Sequence, residues 1–221
     1  MSTSITVDLV DIMGNDLFVA NVARVSFNKW KEEFDQGDAR LIDYLASHEH
    51  LSPFRHTCIS LRCKAPVFLA RQLGKHQAGL SWNEVSRRYV DTGIEFFVPD
   101  SWRGRPVDGI KQGSGEVSQW SKCYDREYRT SLAYVKNLYY LMIEDGIAPE
   151  MARMVLPQSM MVDWVWTGNL LAFFHVYRLR AGEGAQLEAK MFAEQLGEVI
   201  EPLFPECWRA LKGDKHEATT N

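Results

Sequence analysis

Two segments in the first half of the chain alternate apolar and polar residues, which is the period of a half-buried strand. They are residues 4–12 and His56–Lys64, and a shorter strand is predicted over Glu95–Val98. The apolar sides of the two longer segments are formed by Ile5, Val7 and Leu9, and by Thr57, Ile59, Leu61 and Cys63. The pattern therefore predicts a small sheet in which each strand buries one side.

Between these strands the apolar residues recur at three- or four-residue steps, which is typical of helices that pack one face against a core. The spacing predicts a helix through Val25 with Asp16 as its N-cap, and a second helix over 38–48. A third helix is predicted over 66–73, with Pro66 as its first residue, because proline is favoured at that position.

The second half of the chain is predicted to be mostly helical. A long amphipathic helix is predicted over 116–145, closed by Gly146, and its aromatic stripe is more typical of a core or a subunit interface than of a cofactor site. A short helix from Ala148-Pro149 to Pro157 follows, and then helices over 159–180 and 185–201. Residues 99–115 are predicted to form a surface loop, and 213–221 a disordered tail after a domain of residues 1–212.

Few strands and many helices predict an α+β protein with a small antiparallel sheet and a large helical part in one domain. The chain has 221 residues, of which 46% are hydrophobic, which is enough for a sizeable core. No apolar run is long enough to cross a membrane, and no export signal opens the sequence, so we expect a cytoplasmic protein. The four cysteines form no CxxC pair, so neither a metal site nor a disulfide scaffold is predicted.

The stretch from Gln72 to Tyr89 concentrates side chains that bind phosphates and the polar edges of heterocycles. Residues 71–89 include four cationic side chains and only one acidic side chain, Glu84, although the formal net charge of the chain is −4. A polar stretch with glycines is usually a solvated loop. Amide, guanidinium and hydroxyl groups around an Asn-Glu pair nevertheless favour a site for an anionic small molecule.

The segment KHQAGLSWNEVSRRY within this stretch resembles the motif RHRxxSxNExSxRY of the flavin-dependent thymidylate synthases. Lys75 and Gln77 stand where the motif has arginines, one extra residue lies between Gln77 and Ser81, and Leu171 stands where members often have an arginine. Further blocks that are similar to the family are VDLVDIMGND (7–16), ARVSF (23–27), HEHLSPFRH (48–56), KAPVFLARQ (64–72), MARMVLP (151–157) and WTGNLLAFFHVYRLRAGEGAQLE (166–188).

The resemblance implies a reaction and an assembly. Members convert dUMP to dTMP with 5,10-methylenetetrahydrofolate as the carbon donor and FAD reduced by NADPH as the hydride source, they release tetrahydrofolate, and they use no enzyme nucleophile. They form homotetramers with active sites between subunits. The chain has no GxGxxG fingerprint, so we expect FAD and the nicotinamide to be bound without a Rossmann unit.

The resemblance also implies site residues, matched position by position. Those that match dUMP contacts are Gln72, Lys75, Glu84, Val85, Ser86, Arg87, Arg88, Arg153 and Arg180. Those that match FAD contacts are Ser52, Lys75, His76, Gln77, Glu84, Asn169, Leu171 and His175. Arg180 matches the arginine that polarises the uracil, and His50 matches a histidine near the flavin ring, so these two are the predicted catalytic residues.

The residue types alone leave plainer roles open. Arg180 could offset the dipole at the end of a helix, His50 could be a solvated loop histidine, and Arg153 could form an interface salt bridge. A nucleic-acid-binding module would also use a basic aromatic stretch, but the acidic balance of the chain argues against it, so no nucleic-acid partner is expected. A cysteine-dependent transferase is the second alternative, because His56 and Cys58 would share one face of a strand.

Overall fold

A computed structural model describes residues 4–106 and 113–214. Its four strands are β1 (Thr6–Met13), β2 (Cys58–Pro66), β3 (Leu80–Glu84) and β4 (Met161–Gly168). Its helices are α1 (Asp16–Arg24), α2 (Gln36–Ser47), α3 (Val67–Leu73), α4 (Ser121–Glu144), α5 (Pro149–Ala152), α6 (Leu170–Ala181), α7 (Leu187–Ile200) and α8 (Pro205–Lys212). The predicted α+β class, with a small antiparallel sheet and a large helical part, is confirmed.

The sheet has the strand order β1-β2-β4-β3, and each neighbouring pair is antiparallel. On one face of β2 the side chains of Ile59, Leu61, Cys63 and Ala65 are all fully buried, as the alternation predicts. Helices α6 and α7 pack together, and the ring of Phe192 from α7 stacks on Trp164 with 5.9 Å between centroids. The core therefore lies between this face of the sheet and the C-terminal helices.

The prediction of one helix over 159–180 is wrong, because residues 161–168 form β4 and only α6 is helical. Val162, Trp164, Trp166 and Gly168 are buried while the residues between them are less so, which is the period of a strand. β4 also pairs on both sides, with β2 and with β3. Backbone hydrogen bonds on both edges and large aromatic side chains favour the extended conformation here.

Several predicted boundaries shift for local reasons. Asn15 rather than Asp16 caps α1, since its side chain accepts from the amide of Phe18, while Asp16 accepts from the amides of Glu206 and Cys207 at the start of α8. Pro66 is the last residue of β2 and the extended N-cap of α3, not its first helical residue. The strand predicted from His56 begins at Cys58.

Other predicted elements are shorter than the sequence pattern indicates. Glu95–Val98 is reduced to a single bridge between Phe96 and Met160. The long helix begins at Ser121 and ends before Gly146, whose positive φ of 82° stops it. The predicted loop over 99–115 and the predicted tail include residues 107–112 and 215–221, which lie outside the described residues. Among the described helices, none is long and apolar enough to cross a membrane.

Candidate active site

A cavity of about 790 Å³ lies where α3 leads into the loop before β3. Its lining includes part of the polar stretch that the sequence singles out, because the segment 74–79 connects α3 to β3, which pairs with β4. Its lining residues are Val67, Ala70, Arg71, Gly74, Lys75, His76, Gln77, Leu80, Trp82, Glu84, Val162 and Trp166. Four of the predicted FAD contacts, Lys75, His76, Gln77 and Glu84, are therefore brought together here.

The extra residue in the motif is taken up by a tight turn. The amide of Leu80 donates to the carbonyl of Gln77 at 3.2 Å, and Gly79 has a positive φ of 75°. A Cβ atom at Gly79 would lie 2.7 Å from the side-chain Nδ2 of Asn169, so both the backbone and the space require glycine. The turn therefore brings the loop against the start of α6.

Arg180 reaches this loop from the last turn of α6. Its Nε donates to Nε2 of His76 at 3.1 Å, and its Nη2 donates to the backbone carbonyl of Gln72 at 3.3 Å. Two of the five guanidinium donors are thus used to fix its orientation, and the others are available for a ligand. The contact also requires a lone pair on Nε2 of His76, which is present only in the neutral imidazole.

The protonation states of the site are shifted by burial and by neighbouring charge. Loss of water, together with the charges of Arg180 and His175, lowers the pKa of His76. Desolvation and the nearby Arg178 and Arg55 lower the pKa of His175 in the same way. Both histidines therefore favour the neutral form at neutral pH. Desolvation raises the pKa of Glu84, although Nε1 of Trp82 donates to its carboxylate at 3.3 Å.

Two consecutive arginines after β3 have different roles in the structure. Arg87 donates to the backbone carbonyls of Thr92 at 2.5 Å and Gly93 at 3.3 Å, so it holds the loop that follows. Arg88 is exposed, and its Nε donates to the hydroxyl of Ser86 at 3.2 Å. Arg88 is therefore the guanidinium of this pair that is accessible to a ligand.

The predicted residues of α6 are distributed between the site and the core. Asn169 is the N-cap of the helix, and its side-chain oxygen accepts from the amide of Ala172 at 3.0 Å. His175 is half-buried and close enough to His76 to affect its charge. Leu171 is buried in the hydrophobic core. A ligand role for these three residues stays a prediction.

Three other predicted residues lie outside the lining of this cavity in the described structure. His50 and Ser52 are exposed after α2, where the ring of His50 lies 5.8 Å from that of Tyr44. Arg153 is exposed in a short 3-10 turn, and its Nε donates to the carbonyl of Glu150 at 3.3 Å. Within the part of the chain that the structure describes, none of these three residues lines the cavity.

The sequence reasoning missed the aromatic wall of the cavity. Trp82 and Trp166 line it, with ring centroids 5.4 Å apart, and Trp82 also stacks on Trp164 at 4.2 Å. The alternation of Leu80 and Trp82 with Ser81 and Asn83 is a signal for a strand, but it lies within a stretch whose polar residues indicate a loop. In the described residues, no group of three or more His, Cys, Asp or Glu side chains is arranged to hold a metal ion.

Comparison with known proteins assigns the chain to a family. Residues 8–206 match the family model described as thymidylate synthase complementing protein. The chain belongs to the family of flavin-dependent thymidylate synthases. The enzyme of this name from Thermus thermophilus is 34% identical over 210 residues, which are 93% of this chain and 75% of the relative. The enzyme from Thermotoga neapolitana is 33% identical over 94% of this chain and 93% of its own length.

A solved structure agrees with this membership. The UMP/dUMP methylase PolB from Streptomyces cacaoi, bound with 5-Br dUMP, superposes with a TM-score of 0.85 at 32% identity, and the match covers 96% of each chain. The resemblance that the sequence motifs indicate and the predicted class, a methyltransferase of the flavin-dependent thymidylate synthase family, are thereby confirmed.

Proposed function

We propose that this protein converts dUMP to dTMP with 5,10-methylenetetrahydrofolate as the carbon donor and FAD reduced by NADPH as the hydride source, with release of tetrahydrofolate. The observation that carries the proposal is the cavity in which Lys75, His76 and Glu84 meet beside an oriented Arg180. The family membership supports it, as does the bound 5-Br dUMP of the similar methylase.

The described residues suit a flavin in two respects. The cavity is of the size of small-molecule sites, and Trp82 and Trp166 offer it an aromatic wall. Arg71 and Lys75 supply cations at its rim for a diphosphate, and both are exposed. The residues that we propose for FAD are Ser52, Lys75, His76, Gln77, Glu84, Asn169, Leu171 and His175. Bound flavin supplies the hydride, which no side chain of this protein could donate.

Apart from Arg153, the proposed dUMP contacts lie close to the same cavity or in the segment after β3. Arg88 and Arg153 are exposed guanidinium groups, which suit the 5′-phosphate because they present paired donors to its oxygens. The full set that we propose for dUMP is Gln72, Lys75, Glu84, Val85, Ser86, Arg87, Arg88, Arg153 and Arg180. We propose that Arg87 acts mainly through the loop that it holds.

Arg180 is the residue that we propose to act on the uracil. It is half-buried, and its hydrogen bonds to His76 and Gln72 hold the guanidinium before the substrate arrives. A fixed cation beside the pyrimidine stabilises negative charge as it develops on the ring, and little reorganisation is needed. We propose His50 as the second catalytic residue, which would position the folate or the flavin from the exposed segment after α2.

The assembly that we propose is a homotetramer with active sites between subunits, acting in the cytoplasm without a nucleic-acid or membrane partner. Of the 24 residues of α4, only Leu132 and Tyr139 are buried in the single chain. Tyr134 on the same helix is 68% exposed, and Trp120 before it is 60% exposed. Large apolar side chains at this exposure are typical of a surface that is covered by another subunit.

We expect the purified protein to be yellow, and we expect NADPH to bleach it when oxygen is excluded. The reason is that the proposed cavity binds FAD and the reaction needs a reduced flavin. Visible absorbance before and after anaerobic addition of NADPH measures this directly. A colourless protein that shows no change in fluorescence when FAD is added would contradict the proposed function.

The structure removes one argument for the competing cysteine mechanism. His56 follows the 3-10 turn Pro53–Arg55 and precedes β2, so it does not share a strand face with Cys58 as the sequence suggested. Cys63 and Cys207 are buried, and desolvation raises the pKa of both thiols, which disfavours the reactive thiolate. We therefore propose that no enzyme nucleophile adds to the pyrimidine.

We expect a Cys58→Ser variant to retain flavin-dependent turnover of dUMP at close to the wild-type rate. The substitution removes the thiol while keeping a small side chain of similar size at the start of β2. Turnover is measured together with dUMP and FAD binding. Loss of turnover with both ligands still bound would favour covalent catalysis by this cysteine over the mechanism proposed here.

A further inference from the structure

A chain of polar side chains connects the proposed dUMP site to a segment far away in sequence. The side-chain Nε2 of Gln72 donates to Oε1 of Gln186 at 2.7 Å, and Nε2 of Gln186 donates to Glu188 at 2.9 Å. The other carboxylate oxygen of Glu188 accepts from Nη2 of Arg103 at 2.7 Å. We call these four residues, Gln72, Gln186, Glu188 and Arg103, the amide relay.

The direction of both amides in the relay follows from the chemistry of its inner end. An ionised carboxylate only accepts hydrogen bonds, so the end of Gln186 that faces Glu188 must be its NH2 group. The carbonyl oxygen of Gln186 then faces Gln72, so the NH2 group of Gln72 must donate to it. What remains of the Gln72 amide for a ligand is its carbonyl oxygen and one N–H.

Glu188 is held in the charged form on which this direction depends. Glu188 is only 4% exposed, and Arg103 forms an ion pair with it. Arg103 is itself fixed, because its Nε donates to the hydroxyl of Ser114 at 2.6 Å. Burial opposes the charged form, but the hydrogen bonds from Arg103 and Gln186 outweigh it and hold the pKa of Glu188 below its usual value. A buried acid with a fixed partner is a stable anchor for the relay.

We propose that Glu188 and Arg103 are positioning residues for the substrate, because through Gln186 they fix which end of the Gln72 amide faces the bound nucleotide. The inference rests on the proposed function, in which Gln72 contacts dUMP. Gln72 also accepts from Arg180 through its backbone carbonyl, so the relay ends at the residue that orients the proposed catalytic arginine.

A purely structural role makes a different prediction for the same residues. The ion pair of Glu188 with Arg103 joins the start of α7 to the segment before α4, and such a tie needs no amide on either side. If it acted only in this way, changes at Gln186 would leave nucleotide binding unaltered. The relay instead requires that Glu188 and Gln186 act on dUMP binding together.

The Glu188→Gln variant tests the relay with a change of one atom. The side chain introduced at position 188 has only one oxygen, and that oxygen must accept from Arg103. Its NH2 group therefore faces Gln186. Gln186 must then reverse to present its oxygen, and Gln72 reverses in turn to present its NH2 group to the ligand. We expect the dissociation constant for dUMP to rise about tenfold, since a hydrogen bond is replaced by an unfavourable contact, while FAD affinity is unchanged.

Two further variants make the result specific. Gln186→Leu breaks the relay and leaves the ion pair intact, and we expect it to weaken dUMP binding to a similar degree. The double variant is expected to bind no more weakly than the weaker single variant, because both act on one chain of contacts. Glu194→Gln removes a carboxylate from an exposed position of the same helix and is expected to leave dUMP affinity unchanged.

The measurement is calorimetric titration of dUMP into the flavin-loaded protein, with the thermal midpoint of each variant recorded beside it. If Glu188→Gln fails to fold, Gln186→Leu carries the test alone. The relay is overturned if a folded Gln186→Leu variant binds dUMP with wild-type affinity, whether or not Glu188→Gln weakens binding. It is also overturned if the losses of dUMP binding free energy in the two single variants add up fully in the double variant. A wild-type protein that binds FAD but no dUMP would instead contradict the proposed function itself.

Discussion

Replacing Arg180 with alanine is expected to lower the turnover of dUMP by on the order of a hundredfold while the protein remains folded. An arginine that stabilises charge in the transition state is worth about 3 kcal/mol, and its removal has an effect of this size on rate. The guanidinium is held by Nε2 of His76 and the carbonyl of Gln72, so its loss also leaves an acceptor on each of them unpaired. Steady-state kinetics with saturating dUMP and NADPH measures the loss.

Arg178 provides a matched control for this prediction. It lies in the same last turn of α6 but is exposed, so Arg178→Ala removes an equal charge from the end of the helix dipole. If Arg180 only offset the dipole, both variants would have the same small effect. Arg180→Lys is expected to be nearly as damaging as the alanine variant, because an ammonium group keeps the charge and loses the planar array of donors.

The predicted elements that were right share one property, which is that their pattern of apolar residues fits a single period. The alternation in β2 and the helical spacing of α2 and α7 report which side of each element is buried, even though β2 forms its backbone hydrogen bonds with the distant strands β1 and β4. β4 was missed because its large apolar residues fit both periods, and only its pairing with β2 and β3 decides between them. That information lies about a hundred residues away in the chain.

The site shows the same division between local and distant information. The motif indicated Lys75, His76 and Glu84 as neighbours, because they lie on one short loop and strand. It could not indicate that Arg180 would donate to His76, since these residues are 104 positions apart. The amide relay spans similar separations, 114 positions from Gln72 to Gln186, and it has no signature in the local pattern.

Trp164→Ala is expected to cause the largest loss of stability among single substitutions in the sheet, about 3–5 kcal/mol in the free energy of unfolding. Trp164 is 2% exposed and lies between two rings, with centroid distances of 4.2 Å to Trp82 and 5.9 Å to Phe192. Truncation of the side chain would leave a cavity. The backbone of β4 is fixed by its pairing with β2 and β3, so it cannot move in to fill that cavity. Denaturation in urea, at one protein concentration for all variants, measures the loss.

Two further variants, Val165→Ala and Trp164→Phe, serve as controls for this prediction. Val165 is 42% exposed on the opposite face of the same strand, so Val165→Ala is expected to cost less than about 1 kcal/mol. Nε1 of Trp164 is buried and has no hydrogen-bond partner among the described residues. Trp164→Phe therefore loses no hydrogen bond and keeps an aromatic ring in the stack, so its cost should fall well below that of alanine. Equal losses for Trp164→Ala and Val165→Ala would mean that the aromatic stack contributes little and that backbone pairing alone holds β4 in place.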